Sequence, residues 1–207
     1  MTELHRAISA IRSIRGQLAR GTEFRGYGPA TLTATGMLAL LGAAAQYSWL
    51  GGSGAAARLG LMRYLSIWVP VAALSLALIV TEAALRTRRL HRGLALEMMR
   101  AALEQFLPPL CAGLLLTVII VATARGSAWM LPGLWQIIFS LGVFASCRFL
   151  PPGMFAVGVW YLAAGLGCLA LGTNARALSP WAMGIPFGVG QLLVAGVLQF
   201  GYRRADE

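Results

Sequence analysis

Apolar residues in this 207-residue chain gather into six blocks, and nearly all of the charge falls between them. A bilayer core is ~30 Å thick, so a helix that crosses it needs about 20 mostly apolar residues. The blocks predict spans at about 28–50, 64–85, 106–124, 128–146, 152–171 and 180–200. Short polar breaks punctuate them, such as Gly51, Gly52, Ser53 and Gly54, and the tight turn at 125–127. A helix meets its own backbone hydrogen bonds, which lipid demands. The expected fold is therefore all-α: a transmembrane domain over 27–204, with six transmembrane helices as three tandem hairpins, and a short tail at 205–207.

An N-terminal interfacial helix is predicted ahead of the spans, within a basic arm over 1–26. Leu4, Ile8, Ile11, Ile14 and Leu18 recur every three or four residues and share one face. Arg12 and Arg20 lie away from that stripe, while Arg15 projects into it, where its long stem can snorkel. Such a helix fits the surface of anionic lipid, a partner protein, or the chain's own bundle. The first apolar block starts near Tyr27, too late and too long for a cleavable signal, so it is expected to stay as the first span.

Composition agrees with the pattern. Charged residues are 12% of the chain against about 25% in soluble domains, and hydrophobic residues are 58%. The net charge is +10, and all seventeen basic residues are arginine. Excess positive charge suits nucleic acid or a membrane surface. Here the arginines flank the apolar blocks, so membrane lipids are the expected partner and nucleic acid is not.

Arginine placement also predicts the threading. With the N-terminus inside, thirteen arginines lie on the inner side and four, Arg58, Arg63, Arg125 and Arg176, on the outer side. That is the positive-inside bias of a multi-pass protein of a bacterial inner membrane with both termini cytoplasmic. Trp49, Trp68, Trp129 and Trp181 then fall at outer span ends and, with Tyr47 and Tyr64, would form an interfacial belt.

A repeat runs through the spans. Phe-Leu-Pro-Pro occurs at 106–109 and again at 149–152. Gln136 precedes Arg148 by twelve residues, and Gln191 precedes Arg203 by twelve; each follows a proline, Pro132 or Pro186, and a tryptophan. Parallel repeats of this kind can place a site at their interface. Outer-to-inner hairpins also share a need for an interfacial Trp, an early proline and an inner arginine, which accounts for the same matches without a site.

Candidate chemistry is sparse. Glu82 is the one acidic residue inside a span, and Arg86 stands four residues on, the favourable order for an ion pair within a helix. Gln136 and Gln191 are the foremost intramembrane polar residues; they are expected either to bond to neighbouring helices or to line a small polar cavity near the outer third of the membrane. Pro186 would distort the last span beside Gln191 and oblige neighbours to satisfy freed backbone groups. Arg12, Arg15, Arg20, Arg88, Arg89, Arg92, Arg203 and Arg204 make a basic inner rim suited to lipid or a partner. Cys111, Cys147 and Cys168 read as small buried side chains. His5 and His91 lie outside the spans, and no metal-ligand set, nucleophile–base pair or nucleotide fingerprint is present. No cofactor is indicated and no catalytic residue is expected.

The basic N-terminal helix, the Pro108–Pro109 approach to the third span and the closing Ser179-Pro-Trp-Ala-Met-Gly-Ile-Pro-Phe-Gly-Val-Gly-Gln191 stretch resemble a loose group of uncharacterised six-span bacterial membrane proteins. The resemblance covers most of the chain and implies no activity for any residue. The leading expectation is a non-enzymatic accessory subunit of a larger inner-membrane assembly. A small transporter or channel built from the hairpins is the alternative, and a membrane sensor acting through the basic inner face is a third.

Overall fold

The computed structural model describes residues 28–50, 57–89, 92–147, 150–172 and 178–206. The amphipathic arm at 1–26 lies outside them. Among the described residues there are six α-helices and no strand: α1 Pro29–Leu50, α2 Ala57–Arg89, α3 Arg92–Thr123, α4 Leu131–Ser146, α5 Met154–Leu171 and α6 Pro180–Asp206, with a 3-10 turn, Arg125–Met130, ahead of α4. Five stretches are long and apolar enough to cross a membrane: Gly60–Leu85, Phe106–Thr123, Arg125–Ser146, Met154–Leu171 and Pro180–Phe200. These are the lengths and composition of a multi-pass membrane protein. At 22 residues α1 is long enough too, about 33 Å at the α-helical rise. Thr31, Thr33, Thr35, Gln46 and Ser48 make it the more polar one.

The bundle has a tryptophan end, with Trp49, Trp129 and Trp181, and an arginine end, where α2 and α6 finish and α3 begins. Each helix touches the next in sequence, and α6 returns to α1, so the six close a ring. The most extensive contacts are not between hairpin mates. They join α1 to α6 and α4 to α5.

Small residues explain this. At Gly184 a side chain would collide with Ala43 of α1, and at Gly188 it would meet Leu40 at 2.8 Å. Across α4 and α5, Gly133 and Gly165 each stand so close that an added Cβ would lie 2.8 Å or 2.7 Å from the other's carbonyl oxygen. Close backbone approach is how helices associate in lipid, where the hydrophobic effect gives no drive.

The core has two main centres. Toward the arginine end, Leu32, Val143, Val157, Tyr161, Val194 and Leu198 pack together. Toward the tryptophan end, Ala39, Ala43, Tyr64, Trp68 and Met183 do so. A third cluster, Leu61, Ile120, Ala128 and Leu131, ties α2, α3 and α4 at that end. The outer members of the ring are α2 and α3. In their most apolar stretches only 11% and 6% of positions are buried, against 50% in α6.

Several sequence expectations change here. Tyr47, Trp49 and Trp181 are exposed, as a belt requires, but Tyr64 and Trp68 are buried, because α2 turns that face onto α1 and α6. Cys111 is exposed, since α3 shows most of its surface outward. The two Phe-Leu-Pro-Pro copies are not structural equivalents. Pro108 and Pro109 sit inside the continuous α3, whereas Pro152 lies in the turn before α5. Pro132 likewise opens α4, but Pro186 is internal to α6.

Replacing Gly184 with leucine should force α1 and α6 apart at a cost of about 1–3 kcal/mol. A lowered thermal midpoint of the protein in detergent would report this. Gly113→Ala is the matched control. Nothing lies within 4 Å of its added methyl, and helix propensity favours it by up to ~1 kcal/mol, so its midpoint should hold or rise.

Candidate functional site

Proline has no N–H, so Pro186 cannot bond to the carbonyl four residues before it, that of Ala182. That carbonyl is not left bare. Gln136, in the second turn of α4, donates its Nε2–H to the Ala182 oxygen at 2.8 Å. The Cys168 thiol of α5 approaches the same oxygen at 3.7 Å. Gln136 Nε2 also lies 3.7 Å from Cys168 Sγ and 3.8 Å from Met183 Sδ. On the other side of the proline ring, Trp160 Nε1 donates to the Pro186 carbonyl at 3.0 Å. The structure thus brings Gln136 and Pro186 together, through the backbone that the proline disrupts. Buried at 0% exposure, Gln136 supplies from outside the helix a bond the helix cannot make.

Gln191 stands apart from this group. It follows Ala182 by nine residues, about 13 Å along the helix. It packs on Gly36 of α1, whose added Cβ would lie 3.1 Å from Gln191 Cβ, and its side chain is set against the Tyr161 hydroxyl. Between the two levels lies an aromatic triad. Phe139, Tyr161 and Phe187 meet with ring centroids 4.7 Å, 5.5 Å and 5.2 Å apart. The two glutamines therefore do not line one cavity. Equal spacing from the next arginine does not give equal depth, because α4 stops at Ser146 while α6 runs on to Asp206.

A second polar bridge, absent from the sequence expectation, closes the tryptophan end. Trp68 Nε1 donates to Gln46 Oε1 at 2.6 Å, and Gln46 Nε2 donates to the Leu178 carbonyl at 2.7 Å. One amide thereby joins α2, α1 and the segment that leads into α6. The signal for Gln46 was the same as for Gln136, an amide inside an apolar block. Tyr64 stands near a span end, which predicts a place in the belt, but its ring is stacked at 6.1 Å on Trp135 and tilted at 6.1 Å against Trp68. Trp135 completes the pattern by donating to Thr117 Oγ1 of α3 at 2.8 Å.

Glu82 has a structural role that its sequence neighbours did not suggest. Its Oε2 accepts the backbone N–H of Gly28 at 3.1 Å, at the start of α1. A helix N-terminus has unmet N–H groups and a positive dipole end, so a carboxylate is favoured there. The side chain of Arg86 lies outside the described residues, and so does the expected pair. The backbone places Arg86, Arg88 and Arg89 at the end of α2, Arg92 at the start of α3, and Arg203 and Arg204 at the end of α6, all at one end of the ring. Arg12, Arg15, Arg20, His5 and His91 lie outside the described residues. Among those described, no three His, Cys, Asp or Glu side chains group closely enough to hold a metal.

This is a site of neutral hydrogen-bonding groups, built from amides, indoles, phenols and thiols. It can staple helices and can hold a neutral polar group; it offers nothing to compensate a buried charge. No family model, curated protein or solved structure matches the chain.

Gln136→Leu should strip the Ala182 carbonyl of its partner and cost about 1 kcal/mol. Pro186→Ala restores the internal helical bond. In the double variant the loss from Gln136→Leu should shrink, a coupling that a double-mutant cycle of unfolding free energies detects. Simple additivity would mean that the two residues do not act on the same carbonyl.

Proposed function

We propose that this protein is a six-span, non-enzymatic accessory subunit that buttresses a larger inner-membrane protein assembly, with both termini on the arginine side. One observation carries the reading. The α2 and α3 wall is long, apolar and held by this chain on one side only, with 11% and 6% of positions buried in its spanning stretches. Leu74, Leu78, Leu114, Leu115, Val118 and Ile119 are all exposed along it. Such a wall offers a partner's helices a broad surface.

Support comes also from what the core does. Gln46 and the Gln136 nitrogen hold helices together, and the Phe139–Tyr161–Phe187 triad interrupts the polar groups between the two levels. A transporter needs a polar route from one side to the other. The ring closure of α1 against α6, with Thr35 and Gln46 buried in the bundle, supports counting α1 as the sixth span. The arginines at the ends of α2, α3 and α6 complement anionic headgroups on the inner side. The resemblance to uncharacterised six-span bacterial proteins is consistent with this topology.

Native mass spectrometry after gentle extraction from the source membrane should show the chain bound to other membrane subunits in fixed stoichiometry. A lone monomer or homo-oligomer, stable without partners, would sink the accessory reading. Threading has its own check. In a variant lacking the native cysteines, Ser53→Cys should react with an impermeant maleimide added outside intact inner-membrane-exposed cells, and Asp206→Cys should react only after lysis. The reverse pattern would invert the topology.

A further inference from the structure

Buried polar groups nearly always have partners, and an exception asks for a physical account. Among the described residues, four buried side-chain atoms have none within the chain: the hydroxyls of Tyr64 and Tyr161, and Oε1 of Gln136 and Gln191. They fall into two pairs. The Tyr161 hydroxyl is set against the Gln191 side chain. A turn of hydroxyl or amide joins donor to acceptor, so this pair accounts for itself.

Tyr64 and Gln136 differ. Gln136 commits Nε2 to the Ala182 carbonyl and to two sulfurs. That fixes the amide and leaves Oε1 on its other side as an acceptor with two lone pairs. Tyr64 shares a packed cluster with Met183, whose sulfur is 3.8 Å from Gln136 Nε2. It also lies within electrostatic reach of Cys168, the other sulfur beside that nitrogen. Trp68 and Trp135 hold its ring. An unmet donor and an unmet acceptor thus share one neighbourhood of the core, around Met183 and Cys168. Both side chains are enclosed, Tyr64 at 1% exposure and Gln136 at 0%. Ala182 is only the third residue of α6, so the place is within a turn of the tryptophan end.

We propose that Tyr64 and Gln136 are the two poles of a binding site for a small neutral hydroxyl-bearing molecule. Its oxygen accepts from the Tyr64 hydroxyl, and its proton is donated to Gln136 Oε1. An ion is excluded, because none of the described side chains around the site carries a formal charge to pair with it. A bare carbonyl compound would meet Tyr64 and leave Oε1 unmet. A hydroxyl answers both with one atom. Water and a small alcohol share that chemistry.

The test is solid-state NMR of the full chain in lipid bilayers, with glutamine side chains labelled and magnetisation transferred from the hydroxyl protons of the solvent. Gln46 is the internal reference, since both ends of its amide are bonded within the protein. In ordinary water, transfer to the Gln136 amide should be several-fold faster than to Gln46, and Tyr64→Phe should bring it down to the Gln46 rate. In deuterated water with protonated glycerol, transfer from the glycerol carbon-bound protons to Gln136 would identify an alcohol as the occupant; transfer in ordinary water alone would identify water. The proposal is overturned if Gln136 shows no transfer above Gln46 in either medium. It is equally overturned if the fast transfer survives Tyr64→Phe. A second variant, Val143→Ala, opens a packing defect in the other core centre, touches neither pole and should keep the transfer, which guards against reading a packing defect as loss of the site.

Discussion

A carbonyl freed by a proline sets the organisation of this bundle. In water the Ala182 oxygen would find solvent; in an apolar interior it must find a donor in the protein, or cost several kcal/mol. Gln136 reaches it from α4 and Cys168 approaches from α5, so the defect in α6 becomes the point at which three helices are registered. Trp160 does the same one turn on, at the Pro186 carbonyl. The glycines on either side of the proline let α1 close against this irregular stretch. Backbone irregularity, amide placement and small-residue packing are therefore one solution to one constraint.

The chain's helices were legible because lipid makes length and hydrophobicity decisive. Five of the blocks reappear as helices apolar enough to span, and the ends differ from expectation by a few residues, as with Met154 against 152. Partner choice between helices was less legible. Gly36, Ala39 and Ala43 form a small face on α1, and Gly184 and Gly188 form one on α6, but nothing in linear spacing says that these two faces meet. The hairpin reading paired neighbours in sequence; small-residue complementarity pairs the first helix with the last.

The candidate site was half legible for a similar reason. Gln136, Gln191 and Pro186 stood out as polar or irregular points inside apolar blocks. That Gln136 answers the carbonyl before Pro186 depends on the relative height of α4 and α6, which sequence does not give. Gln46 escaped notice beside the belt aromatics, and Tyr64 and Trp68 were read by depth alone. Depth places a residue along the membrane normal. Which way α2 turns its faces decides whether the same aromatic meets lipid or core.

Closure of the ring between α1 and α6 also bears on how the molecule is made. These two helices emerge from the ribosome at opposite ends of the bundle, with α2 to α5 between them. Until α6 arrives, Gly36, Ala39 and Ala43 of α1 have no face to close against, and contacts between elements so far apart in sequence form slowly. The helix least suited to lipid is thus the one that waits longest for its cover. A chain that stops short of α6 leaves this small-residue face of α1 uncovered, the kind of exposed surface from which misassembly starts.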